Sequence, residues 1–230
     1  MVDSPPHPAT MQSNPAIRDD AIDKANIAVV RAKSGRPTQG VLLVGRNRTA
    51  RTAHIDRICE VLSTTGAHIV RVRMSKGRSL PALLSNQLQD ALQRMPGIRQ
   101  RQGPVHEALR VLAACIGSLR PRYPDINIIM DLKPEAKIAD SGTLEVDLTS
   151  LFEAIGAEAA QAGAAYAILI DDMHSVEARQ LSALIGALHR IAQRGLPVVM
   201  IGAGSQILRR RIGNAKPYAE RMFEFVDLGG

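Results

Sequence analysis

G-V-L-L-V-G-R-N-R-T-A-R-T-A-H-I-D, from Gly40 to Asp56, decides how the rest of the chain is read. Gly40 leads into Val41 to Val44, an apolar run too short for a helix and suited to a buried strand. The tight segment Gly45 to Arg51 follows. From Thr52 onward Ile55, Ile58, Cys59 and Leu62 recur at helical spacing. Strand, loop and helix form the setting of the phosphate-binding pattern G-x-x-x-x-G-K-[ST], and Gly45 to Thr52 has its length. Only Gly45 and the closing Thr52 keep the pattern's residue types. Ala50 stands for the second glycine and Arg51 for the lysine.

Composition sets the frame around this stretch. A chain of 230 residues suits one sizeable domain with a proper core. It is 45% apolar but has no long uncharged run, which excludes a membrane-spanning helix. Residues 1–16 are rich in Pro, Ser and Asn and lack the basic start and apolar block of a signal peptide. They read as a disordered tail before a domain over residues 17–230, in a cytoplasmic protein. Cys59 and Cys115 both fall in apolar helical patterns, so buried free thiols are a simpler reading than a disulfide or a metal site. Three Phe, three Tyr and no Trp argue against base-stacking platforms. The net charge of +7 permits an anionic partner, non-specific DNA included, without naming one. Arginines gather at Arg46, Arg48, Arg51 and Arg57, at Arg71, Arg73 and Arg78, and at Arg209, Arg210 and Arg211. A solvated basic surface accounts for most of them.

Along the chain, Asp19 to Lys33 reads as an amphipathic helix with Ile22, Ala25, Val29 and Val30 inward. His68 to Met74 alternates as a second strand, and helices are expected over Leu80 to Met95 and Pro104 to Leu119. Asp125 to Leu132 has strand character and precedes a polar excursion, Lys133 to Gly142. A helix over Leu144 to Ala162, capped near Ser141 or Thr143, leads to a strand at Ala167 to Ile170. Beyond it come a helix at Glu177 to Gln193, a buried strand at Leu196 to Ile201, helices at Gln206 to Ile212 and Lys216 to Met222, and a last strand at Phe223 to Leu228. Strands alternating with helices, several apolar throughout, mean an α/β sandwich around a mainly parallel sheet. Ligands of such sheets sit beyond the carboxyl ends of the strands, where Gly45 to Thr52 and Asp171-Asp172 both fall.

Y-A-I-L-I-D-D, Tyr166 to Asp172, is an apolar strand ending in two acids. Nucleotide hydrolysis on such a fold needs one acid to hold Mg²⁺ and a second to orient the attacking water. Capping of the following helix is the alternative for the same pair. With these pieces in place the chain resembles the AAA+ ATPases of the origin-recognition-like group of P-loop NTPases, from Ile17 to Leu228. The resemblance rests on Arg18-Asp19-Asp20, G-R-P-T-Q-G-V-L-L-V-G, R-S-L-P-A-L-L and L-I-D-D-M-H-S-V. It also rests on L-I-G-A-L-H-R-I-A-Q-R-G-L-P-V-V-M-I-G-A-G and K-P-Y-A-E-R-M-F-E-F.

This resemblance implies a three-layer αβα sandwich with a five-stranded sheet, its first strand flanked by those carrying Asp171 and Gly202. It implies an ATP loop of Gly45, Arg46, Asn47, Arg48, Thr49, Ala50, Arg51 and Thr52, with Thr52 and Asp171 as the Mg²⁺ residues. Asp172 stands where the group usually has its catalytic Glu, and Gly202 to Ser205 in the sensor region. Arg221 falls where a subunit-interface arginine finger could lie, or is an ordinary surface arginine. The chain stops at Leu228-Gly229-Gly230, where the group continues into a helical lid, so a lid is expected to be missing or supplied by another subunit.

The departures have physical weight. Glycines in such a loop reach φ > 0 and let amides approach a phosphate. The group usually carries one more of them at the position of Arg48. Ala50 in a left-handed conformation would cost about 1–2 kcal/mol. Arg51 keeps the charge of lysine but not its slim shape. Asp172 is one methylene shorter than Glu, so a water placed for Glu lies out of reach. The expectation is a degenerate nucleotide-binding domain with weak binding of ATP and Mg²⁺ and with hydrolysis lost or very slow. A cationic loop and a helix amino end near Thr52 still attract polyphosphate. The alternative is a nucleotide-free interaction or DNA-associated scaffold, with a protein partner or a second copy. His54, His68, His106, His174 and His189 show no metal-ligand spacing. Ser205 lacks a nucleophile's G-x-S-x-G context.

Overall fold

The computed structural model describes residues 15–95, 103–130, 132 and 143–229. Helix α1 (Pro15–Lys33) precedes β1 (Gly40–Val44), α2 (Arg48–Ser63) and β2 (His68–Arg73). Then come α3 (Leu80–Gln93), α4 (Pro104–Leu119), α5 (Leu144–Ala162) and β3 (Tyr166–Asp171). After a 3₁₀ turn at Met173–Ser175 follow α6 (Ala178–Gln193), β4 (Val198–Gly204), α7 (Ile207–Ala215), a second 3₁₀ turn at Ala219–Met222 and β5 (Phe223–Asp227).

The five strands form one sheet in the order β2-β3-β4-β1-β5, and every neighbouring pair is parallel. Alternate residues feed opposite faces, as the two-residue strand period requires. Leu42, Ile168, Ile170 and Met200 join the core beneath α3, α4, α5 and α6. Val41, Leu43, Ala167, Leu169, Val199 and Ile201 join the core beneath α1 and α2. The result is the expected αβα sandwich. Gly40 admits no side chain, because a Cβ there would stand 2.6 Å from the Met200 carbonyl oxygen of β4.

Four expectations are corrected. Strand β1 lies between β4 and β5, not beside the strand carrying Asp171; Val41 is in register with Ile201 on one side and Glu224 on the other. Successive crossovers set β2, β3 and β4 side by side, so β4 is the strand that reaches β1. The segment 125–130 forms no strand. Its alternation is real, with Ile126 and Ile128 buried and Asn127 and Ile129 exposed. However, no strand pairs with it among the described residues, and Arg120 donates from its side chain to the Ile128 carbonyl. The helix expected over 216–222 contracts to the single 3₁₀ turn. Val30 points outward from α1 while Ala25, Ala28 and Val29 are buried. The expected tail and the excursion at 133–142 lie outside the described residues, apart from the start of α1 at Pro15.

Candidate functional site

At the carboxyl end of β1 the connection to α2 comprises only Gly45, Arg46 and Asn47. Helix α2 begins at Arg48 rather than Thr52. Asn47 adopts extended angles, and its side-chain oxygen accepts from the Ala50 amide at 3.1 Å, an N-cap arrangement. Ala50 and Arg51, good helix formers with no glycine to interrupt them, continue the turn. Ala50 is therefore helical. Asp172 is the one non-glycine residue with positive φ among those described, so the left-handed strain expected at Ala50 does not arise. The amides follow suit: Gly45 donates to the Gly204 carbonyl at 3.1 Å, and Arg51 to the Asn47 carbonyl at 3.2 Å.

Arg51 turns back beneath this short loop. Its side chain is 3% exposed, and Nη1 donates to the carbonyls of Gly45 at 2.7 Å and Arg46 at 3.1 Å. Nη2 donates to Asp172 Oδ1 at 3.0 Å, while Nε is buried with no acceptor among the described residues. The other oxygen of Asp172 accepts from Arg48, Nε at 2.8 Å and Nη2 at 2.7 Å. Asp172 sits at φ 53°, ψ 34°, just past the end of β3. A left-handed residue there bends the chain sharply and aims the carboxylate at α2.

Next to this cluster, Thr52 Oγ1 donates to Asp171 Oδ2 at 2.7 Å. Asp171 is fully buried and accepts at its other oxygen from the Asp172 amide at 2.8 Å. Arg73, at the end of β2, approaches from the side at 3.6 Å. His174 closes the far side, its Nδ1 facing the Ser205 amide at 3.4 Å. Burial holds the imidazole below its ordinary pKa, and the cations Arg51, Arg211 and Arg48 add to the effect against the pull of Asp172. Its neutral form therefore accepts at Nδ1.

The structure thus brings together Gly45, Arg48, Ala50, Arg51, Thr52, Asp171 and Asp172. Arg46, Asn47 and Thr49 lie on the exposed side of the same turn. Arg221 is not part of it. It precedes β5 beside Gln39 and Gly40, where its carbonyl accepts from Gln39 Nε2, so it lies at the amino edge of the sheet. Arg73 and His174 were missed as site residues. The position of His174 two residues after Asp172 was the available signal; nothing in the sequence places Arg73 against Asp171. Thr52 and Asp171 are the two residues whose oxygens could face a divalent cation. Among the described residues no group of three or more His, Cys, Asp or Glu converges to hold a metal, and no helix is long and apolar enough to cross a membrane.

No protein-family model matches the chain. No curated protein matches it either. Among solved structures it is similar to Cdc6p from Pyrobaculum aerophilum, at 12% identity over 96% of this chain and 48% of that one, with a TM-score of 0.53. The Aeropyrum pernix ORC2 protein in its ADP form is similar at 13% identity, covering 99% of this chain and 50% of that one, TM-score 0.45. Drosophila ORC bound to AT-rich DNA and Cdc6 follows at 8% identity, covering 100% and 35%, TM-score 0.43. This chain spans about half the length of the first two of those chains and less of the third. The likeness to Cdc6p is one of fold: a five-stranded parallel α/β sandwich of the Cdc6 kind.

Proposed function

We propose that this chain is a Cdc6-like domain whose nucleotide loop is closed from within, binding Mg·ATP weakly, turning over none, and acting as a scaffold for a partner. The observation that supports this is Arg51. Its guanidinium fills the space beneath the loop, bonded to the carbonyls of Gly45 and Arg46 and to Asp172. A phosphate cradle needs inward N–H groups. This loop turns two carbonyl oxygens inward, and the amides of Gly45, Ala50 and Arg51 are already engaged. The residues present fit a triphosphate poorly. Both oxygens of Asp172 accept from guanidinium donors, which ties the carboxylate to Arg48 and Arg51 rather than to the space a nucleotide would occupy. Thr52 donates directly to Asp171, so the two residues proposed for Mg²⁺ are bonded to each other.

Calorimetric titration with Mg·ATP, run alongside a phosphate-release assay, tests the reading. The wild type should show weak binding and turnover at background. The double substitution Ala50→Gly, Arg51→Lys leaves the charge unchanged, so tighter binding by it would report geometry alone. Robust wild-type turnover abolished by Asp171→Ala would refute the closed loop.

A further inference from the structure

Behind the turn that carries Asp172 lies an open groove of about 1020 Å³, at the upper end of the size of small-molecule sites. The first residues of α5 and α6 form its walls, together with α7 and the segment after α4. Four arginines line it: Arg122, Arg179, Arg210 and Arg211. Arg211 donates to the Val176 carbonyl. Among the described residues no carboxylate pairs with Arg122, Arg179 or Arg210. The one acid in the lining, Glu145, is already held by Lys216 at 3.0 Å and Arg190 at 3.8 Å. Glu177 stands near Tyr123 at the margin and accepts from Gln180 at 3.1 Å. Between the arginines the floor is apolar, with Leu144, Leu181 and Ala183, and Ile207 is 46% exposed at its edge.

We propose that this groove docks an acidic amphipathic peptide segment of a partner protein. The inference rests on the scaffold half of the reading above and is independent of whether the loop holds nucleotide. Unpaired guanidinium groups match carboxylates with bidentate geometry. The amino ends of α5 and α6 add positive dipole ends to the same wall. Duplex DNA would satisfy the arginines but leave the apolar floor and Ile207 without a partner, since phosphates bring no apolar surface. A peptide with glutamates on one face and leucines on the other engages both.

The probe is a fluorescein-labelled helical peptide of roughly 16 residues, glutamate on one face and leucine on the other, followed by anisotropy. The full chain should bind it. Arg179→Glu with Arg210→Glu should weaken binding by about tenfold or more, and Ile207→Ser by a few-fold. Arg36→Glu, on the connection between α1 and β1, makes a charge change away from the groove and should stay within about twofold of wild type. A peptide with glutamine in place of glutamate should not bind. The proposal is overturned by no binding at about 100 μM peptide, by equal losses in the Arg36→Glu control, or by an unchanged affinity of the glutamine peptide. Duplex DNA that displaces the peptide and loses affinity through the same arginines overturns it in favour of a nucleic-acid site. Because turnover is assayed without the peptide, an active wild-type ATPase would sink the closed loop and leave the groove standing, and the reverse holds for peptide failure.

Discussion

Replacing Asp172 by asparagine removes one charge while keeping shape and backbone. At φ 53°, ψ 34° the residue is left-handed, a conformation that Asn tolerates as Asp does, so the backbone cost cancels. What changes is the attraction for two guanidinium groups that differ in exposure. The Arg51 side chain is 3% exposed and that of Asp172 7%, with 3.0 Å between them. At an effective dielectric of about 20, unit charges at that distance attract by about 5.5 kcal/mol. Desolvation of both ions offsets much of this. In the variant, Arg51 keeps its two carbonyls and the asparagine oxygen. The loss should therefore fall near the low end for a buried pair broken from one side, about 3 kcal/mol. Arg48 is 68% exposed, and its removal as Arg48→Ala should cost about 1 kcal/mol or less. Urea unfolding followed by far-ultraviolet circular dichroism reads both, with unchanged slope showing that the unfolded state is not altered. A double-mutant cycle of Arg51→Met with Asp172→Asn should return a coupling of about 2 kcal/mol. Asp172→Asn within about 0.5 kcal/mol of wild type, or Arg48→Ala costing as much as Asp172→Asn, would show that Arg51 is not the ion that closes the loop.

Three further outcomes are expected. Thr52→Val removes the donor to a fully buried carboxylate and should cost about 1.5–3 kcal/mol in the same unfolding assay; a neutral result would mean that Asp171 does not depend on Thr52. His174 is held below its ordinary pKa of 6.5, so the folded state keeps it neutral while the unfolded chain takes up the proton first. Its contribution is present above pH 6.5 and is lost as pH falls through the lower native value; melting temperature should fall more from about pH 8 to about pH 5 in wild type than in His174→Gln, and parallel profiles would refute this. Cys115 is buried, its thiol pushed up to about 12 chiefly by burial, so Ellman's reagent at about pH 8 should reach it only on unfolding, whereas prompt labelling of both cysteines in native protein would contradict the core.

The limits of two helices were the most legible part of the fold. Helices α4 and α5 begin and end where periodicity places them, with Pro104 opening one and left-handed Gly163 closing the other. Strand order was not legible, because strands buried on both faces carry no pattern that names a neighbour. The alternation over 125–130 reported burial correctly but said nothing about a pairing partner. At the site, a loop of the right length and two acids pointed to the contact now seen between Thr52 and Asp171. The path between Gly45 and Thr52 was not legible from the motif, because a motif's length does not fix its backbone.

The local signals already argued otherwise. Asn47 followed by Arg, Thr, Ala and Arg is an N-cap before helix formers, and no glycine between Arg46 and Thr52 opens a wider turn. Once α2 starts at Arg48, the carbonyls of Gly45 and Arg46 face inward and need donors. Lysine offers them one ammonium, a compact point charge. Arginine offers five donors on a planar fork, enough to bridge both carbonyls and still reach Asp172. Aspartate in turn is short enough to meet that fork from a left-handed residue just past β3. Ala50, Arg51 and Asp172 are therefore parts of one mutually supporting arrangement. Changing Arg51 alone should destabilise the loop without opening it. On the closed-loop reading, a phosphate cradle would need glycine at 50 to release the helix start before lysine at 51 has anything to bind.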